Sequence, residues 1–524
     1  MIKNAKSVLI GLPWCVIIRY DGDAQALSLK RLGVVLCPSV ISLQGGNDSM
    51  FYAIFALSLL FSVFSCRFVA KKRGDAALDR IINASTVAFI ALTLLDTLLP
   101  DLFMCVQSAD TLAAMNGTKL HAVVRWLNLV SFTVLPIAVF QKNKYFERIA
   151  CFFCLPMATV NVAFYFQYIG YFTANSYSGL QTMRILPQAV KAFLITEGFR
   201  SVYFGITCLL QLTALILLTY RRRADLPIRK GEWLNTLLIL VGVIYISMPI
   251  YAPQYLFGLV NVMLIRFSPV HFAWIFSIVA IIVVFYFIFR NKPYELRYIF
   301  VLALSWALML QFSQMFTASS ELNVMKLPLQ LCNLGSYLAL IMLLKKNARI
   351  YHFALIVNVI GAIIAIAILD ISKDVSHITN LWVVHYVVEH TKVMAIPILC
   401  LVLKIFDPIK KKDARDFTVS FTAYYLFVLV LGTVSNGFYR IFEGNEIQNF
   451  FYANHLFMFD KEIAHGLVGF TDPLFESCVI RFGAFELYPL VQALVYVVFL
   501  ALSLIVFALI YLLTRKHRRP LKNG

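Results

Sequence analysis

What most limits the folds open to this chain is a repeating feature: from Met50 to the C-terminus, continuous apolar runs of about 18 residues or more keep returning. Coiled at about 1.5 Å per residue, each run reaches across the roughly 30 Å hydrocarbon core of a bilayer. About thirteen are read, at 50–70, 81–104, 122–141, 149–172, 200–219, 233–252, 270–289, 298–316, 327–344, 350–369, 381–406, 417–439 and 486–513. They are continuously apolar, whereas barrel strands alternate over about ten residues, so the spans read as helices. A mean hydropathy of +0.79, with 60% hydrophobic and 14% charged residues, excludes a soluble globular domain. The expected fold is an all-α polytopic membrane protein with about 13 transmembrane helices.

A net charge of +19 invites a nucleic-acid partner, and the placement of the charge excludes one. Basic groups follow the odd-numbered spans, as at Lys71 to Arg73, Arg221 to Arg223, Arg290 to Arg297, Lys410 to Arg415 and Arg515 to Lys522. Of 46 Lys and Arg, 28 fall on one side in this way, the positive-inside pattern. It predicts a multi-pass protein of the cell membrane, with odd spans running inward and the C-terminal tail, 514–524, in the cytoplasm.

Residues 1–47 break that pattern, because Lys3, Lys6, Arg19, Lys30 and Arg31 lie on the side read as exterior. Their apolar runs, 7–18 and 33–43, are too short to span. One reading is an interfacial segment or vestigial leader. The other is translation from Met50, with Gly45 and Gly46 encoded by purine-rich codons resembling a ribosome-binding site.

The chain also repeats itself. "WLNLVSF" (126–132) matches "LCNLGSY" (331–337), "QKNKYFER" (141–148) parallels "KKNARIYH" (345–352), and "YAPQYLFG" (251–258) parallels "YANHLFMF" (452–459), all in the same order. Two tandem, same-orientation units of about six spans are expected: 48–258 as a degenerate N-terminal membrane repeat and 270–513 as the C-terminal membrane domain, joined through 259–269, with a C-terminal span in addition. The first unit is read as the scaffold half, without the ionisable residues of the second.

Those residues crowd the eleventh span, "LWVVHYVVEHTKVMAIPILCLVLKIF". His385, Glu389, His390 and Lys392 lie in its outer half, where each unpaired charge costs about 2.5–3.5 kcal/mol or more. His385 and Glu389 are four apart and share a face, so the carboxylate can orient the imidazole; Glu389 and Lys392 are three apart and can neutralise each other. His390 is turned about 100° from Glu389 and faces elsewhere. On the ninth span, Cys332, flanked by Gln330 and Asn333, lies roughly 8 Å in from the outer end against roughly 13 Å for His390, so both are reachable from the outer leaflet, and Asn436, Asn454 and His455 can close the region from above. Cys151 and Cys154, though spaced CxxC, have no second pair and read as packing residues, so no metal site is expected.

The stretches "LPLQLCNL", "NVIGAIIAI" (358–366), "VVEHTKVMAIPI" (387–398) and "ANHLFMF" (453–459) resemble the YwaF-type bacterial integral membrane family, and "FSPVH" (267–271) is similar to the family's opening motif. The resemblance covers 265–513. It implies kinship with a eukaryotic membrane acyltransferase that moves fatty acyl chains between phospholipids, using a cysteine directly after the motif proline and a histidine on a later helix. His390 stands at that histidine. Leu329 follows Pro328 here, Gln330 replaces the bacterial motif's histidine, and Cys332 lies about one turn deeper.

Two activities follow. In the first, a membrane enzyme acts on lipid acyl groups: Cys332 is the thiolate nucleophile, His390 or His385 the base, Glu389 the orienting acid, and Asn333 or Asn436 the oxyanion donor. In the second, a proton-coupled secondary transporter or lipid translocator uses Glu389, His385 and His390. A scaffold role is the third possibility. Membrane lipids are the expected partners, and with no nucleotide fingerprint in the chain no cofactor is expected.

Overall fold

The computed structural model describes residues 16–19, 33–36, 48–97, 119–164, 188–194, 196–224, 226–227, 231–318, 323–369, 376–445, 447–459 and 472–515. Two compact units are resolved, 1–53 and 54–524. In the first, strands β1 (Val16–Arg19) and β2 (Gly33–Leu36) pair antiparallel, with Val16 opposite Leu36. The rest of 1–47 lies outside the described residues, as does the tail beyond Arg515.

The remainder is helical. In chain order the helices are α1 (Asp48–Phe64), α2 (Asp75–Asp96), α3 (Lys119–Phe140), α4 (Lys144–Phe164), α5 (Gln188–Leu194), α6 (Glu197–Arg222), α7 (Glu232–Ile246), α8 (Ala252–Phe257), α9 (Pro269–Phe289), α10 (Tyr294–Ala318), α11 (Leu331–Lys345), α12 (Ala348–Ile368), α13 (Leu381–Val402), α14 (Asp413–Ile441), α15 (Asp472–Ser477) and α16 (Pro489–Arg515). A short hairpin, β3 (Ile480–Phe482) with β4 (Phe485–Leu487), precedes α16. Ten of the helices are long and apolar enough to cross a membrane, and three shorter apolar helices stand at 53–69, 232–246 and 331–345. The protein is therefore an all-α polytopic membrane protein, and within the described residues each apolar run read from the sequence overlaps a helix, ten of them long enough to span.

Local chemistry sets several boundaries. The fourth helix starts before its apolar run because Asn143 caps it, accepting from the amides of Tyr145 and Phe146. Asn347 and Asn380 cap α12 and α13 in the same way. The sixth run is not continuous: α7 stops at Ile246 and the chain unwinds over 247–251, around Pro249, before α8 resumes.

Packing separates centre from periphery. Helix α10 is mostly buried along its apolar stretch, whereas α9 and α16 are mostly exposed there and present their apolar surface to lipid. Around the centre, α10, α11, α12 and α13 pack in ring order, and α2, α3, α4 and α6 form a second ring of the same order; α3 packs against α10 where the rings meet. At the end carrying the basic turns, Arg222 pairs with Glu147, Arg148 with Glu232, and Arg221 with Asp75 and Asp79, tying α2, α4, α6 and α7. The opposite end is the distal end.

Candidate functional site

The polar cluster of α13 is built from its four-residue spacing. One helical turn apart, His385 Nε2 and Glu389 Oε2 lie 3.0 Å from each other, both buried. The second carboxylate oxygen accepts from Ser336 Oγ of α11 at 3.4 Å, and Phe312 of α10 stands beside the His385 ring. Glu389 therefore bridges two helices, and each of its oxygens has a donor, which a buried carboxylate requires.

His390, the next residue, is held by Tyr386. Its Nδ1 lies 2.6 Å from the carbonyl of Tyr386, whose ring packs 4.2 Å away. With Nδ1–H donating to that carbonyl, Nε2 is the basic nitrogen.

Lys392 corrects an expectation. It does not neutralise Glu389; its ammonium donates to the carbonyl of Ile246 at 2.8 Å and to Gln311 Oε1 at 2.5 Å. The reason is the unwound stretch of span six, whose backbone groups need partners away from water. Gln311 also donates to the carbonyls of Ile246 and Met248, Gln314 accepts from Ile250 N, and Ser247 shares a hydrogen bond with Thr133. Beyond the break, Gln254 of α8 accepts the first amide of α13, that of Leu381.

Cys332 is the second residue of α11, partly exposed, and its thiol contacts Asn333 Oδ1 at 3.3 Å. Its height is fixed by close packing, since a methyl group at Gly361 of α12 would stand 2.9 Å from the Cys332 amide nitrogen. Cys332 and Ser336 are four apart on one face of α11. Tyr424 of α14 reaches across to the carbonyl of Leu329 just before this turn, at 2.5 Å.

The distal loop closes over the start of α11, and three of the expected polar residues do the closing. Gln330 accepts from Leu456 N at 3.1 Å and donates to the carbonyl of Asn454 at 3.4 Å. Asn436 grips Ala453 through both its amide and its carbonyl, and Asn454 accepts from Phe459 N. His455 is fully buried with Nε2 3.1 Å from the carbonyl of Val324; burial lowers its pKa to about 4 against the pull of that hydrogen bond. Leu456 is held at a left-handed φ of 58°, a strain that persists because these bonds over-determine the loop.

The N-terminal half is not devoid of ionisable groups. Near the distal ends of α2, α3 and α6, Asp96 pairs with Arg125 at 2.8 Å and with buried Arg200 at 3.4 Å. Three charges on three helices, each close to a span end, leave no local pattern to read. Cys151 and Cys154 are buried free thiols, as expected of packing residues. Among the described residues no group of His, Cys, Asp and Glu is arranged to hold a metal ion.

Compared with known proteins, residues 266–514 match the model of the TMEM164 family, a membrane protein family, so the second half of the chain is similar to it. No curated protein and no solved structure matches the chain.

Proposed function

We propose that this integral membrane protein acts on lipids of the outer leaflet, moving acyl groups between phospholipids through Cys332 and the His385–Glu389 pair. The observation that carries the reading is the contact of Ser336 with Glu389. Cys332 lies one turn before Ser336 on the same face of α11, and His385 lies one turn before Glu389 on α13. The two helices are separated by one antiparallel crossing through α12, so both enter from the distal end, and Cys332 and His385 each lie one turn on the distal side of that contact. His385 rather than His390 is then the base.

In the proposed cycle, His385 takes the thiol proton as sulfur attacks the ester carbonyl. The carbonyl oxygen gathers charge near the unbonded amides of the first turn of α11, with Asn333 beside it. Collapse expels the lysophospholipid alkoxide, which takes the proton from the imidazolium, leaving a thioester on Cys332. An incoming lysophospholipid hydroxyl gives its proton to His385, attacks the thioester and regenerates the thiol. Glu389 orients the imidazole and balances its charge. Gln330, Asn436, Asn454 and His455 shape the loop above it. The likeness to the TMEM164 family, and the resemblance of "LPLQLCNL" and "VVEHTKVMAIPI" to YwaF-type proteins, support the reading. The shared ring order of the two helix groups supports tandem duplication.

A second reading, a proton-coupled translocator, is favoured by one feature: the broken sixth span held by Lys392 and Gln311, since unwound helices inside membranes line transport sites. Reconstituted protein separates the two. Acyl transfer requires Cys332→Ala to abolish exchange of labelled acyl chains between phospholipids. The translocator requires Cys332→Ala to be silent and Glu389→Gln to abolish pH-dependent flipping.

A further inference from the structure

The hairpin of β3 and β4 has two unlike faces. Directly opposed residues of an antiparallel pair share a face, so Ile480, Leu487, Phe482 and Phe485 form one, and Arg481 and Glu486 the other. The turn between the strands begins at Gly483, whose φ of 62° suits a tight two-residue connection.

The hairpin is docked rather than loose. Phe485 lies against the bare backbone of Gly437 on α14, where a methyl group would collide with its ring, and edge-on to Phe438 at 6.3 Å. Arg440 donates to the carbonyl of Ala484 at 3.1 Å and pairs with Glu486 at 2.6 Å. Glu486 also accepts from Arg481 and from Tyr488.

Docking fixes both depth and tilt. Gly437 lies 24 residues beyond Asp413, about 36 Å along the helix and past a hydrocarbon core of roughly 30 Å. The hairpin thus sits at headgroup level in the leaflet away from the basic turns. Its apolar face is the one turned toward α14, and beyond Phe485 that face runs on into Phe482 and Ile480, which are 64% and 42% exposed. Phe438, against which Phe485 packs, belongs to an exposed apolar stripe of α14 with Val434 and Ile441, four and three residues apart. Phe442 stacks on Phe451 and Phe438 packs against it at a tilt, which links the hairpin to the loop over Cys332.

We propose that the β3–β4 hairpin is an interfacial flap whose partner is the phospholipid of the outer leaflet: Ile480 and Phe482 enter the boundary between headgroups and acyl chains, and Arg481 lies among the phosphates. The inference rests on the membrane fold and not on the chemistry of Cys332. A folded apolar face at this depth meets lipid, and a guanidinium on the opposite face, exposed at 69%, meets phosphate.

The test places a reporter on that face. Phe482→Trp and, separately, Ile480→Trp are reconstituted in phosphatidylcholine–phosphatidylglycerol vesicles, and the emission added over the parent protein is recorded. Lipids brominated in the upper acyl chain, at the shallow depth of about 5–10 Å expected of interfacial side chains, should quench the added emission at least about two-fold, while aqueous iodide leaves it unchanged. Quenching by iodide and not by brominated lipid would put the hairpin in water and overturn the proposal. Quenching by neither would mean that protein, such as a second copy of the chain, covers the face, and would overturn it equally.

Discussion

Lowering the pH should open the distal loop, and the size of the effect follows from His455. Its Nε2 faces the carbonyl of Val324, and its Nδ1 is buried without a hydrogen-bond partner among the described residues, so a second proton would have no acceptor. Burial accordingly holds the closed-state pKa near 4, below the ordinary 6.5. Because the closed state is the one with the depressed value, it binds fewer protons than the open state. Closure is fully stable above about pH 6.5, weakens as pH falls through that value, and levels off below about pH 4. At pH 5 the loss is on the order of 2 kcal/mol, about a 30-fold rise in the open fraction, and it approaches about 3 kcal/mol below pH 4. Hydrogen exchange of the backbone amides from Ala453 to Phe459, corrected for the intrinsic rate, reads this directly. His455→Gln keeps a nitrogen donor toward Val324 and cannot titrate, so the dependence should vanish. Equal protection at pH 7.5 and pH 5 in the parent, or an unchanged dependence in the variant, would show that His455 does not control the loop.

Other outcomes follow from the packing. Gly437→Ala should push Phe485 off α14 and cost about 1–3 kcal/mol, seen as a lower unfolding midpoint in detergent; in a Phe485→Ala background most of that cost should disappear. Gln311→Leu should destabilise more than Lys392→Met, because it strips hydrogen bonds from Ile246, Met248 and Lys392 together, each orphaned group costing about 1–3 kcal/mol; equal midpoints for the two variants would contradict the central place given to Gln311 in holding the broken span.

The helical membrane fold was legible because span length and charge sidedness are properties of the chain itself. The His385–Glu389 contact was legible for a similar reason, a four-residue spacing acting within one helix. Partners on other helices were not. Ser336, Gln311 and Tyr424 become significant only once α11, α10 and α14 are laid against α13 and the start of α11, and nothing local to them signals it. Lys392 was assigned to Glu389 because sequence spacing sees only its own helix, whereas the unwound backbone at 247–251 offered it better acceptors. That break went unread because Pro249 lies at the end of an apolar run, where a proline suits a simple terminus. Asn436, Asn454 and His455 were read as closing the region from above; their hydrogen bonds go to Ala453, Phe459 and the carbonyl of Val324, contacts between segments that no local pattern announces.

In the proposed cycle Cys332 carries the acyl group. Purified protein mixed with a phospholipid and quenched in acid should gain the mass of one acyl chain on the peptide containing Cys332, an adduct released by neutral hydroxylamine and absent from His385→Ala. Acyl transfer that proceeds with Cys332 unmodified, or at full rate in Cys332→Ala, would contradict it.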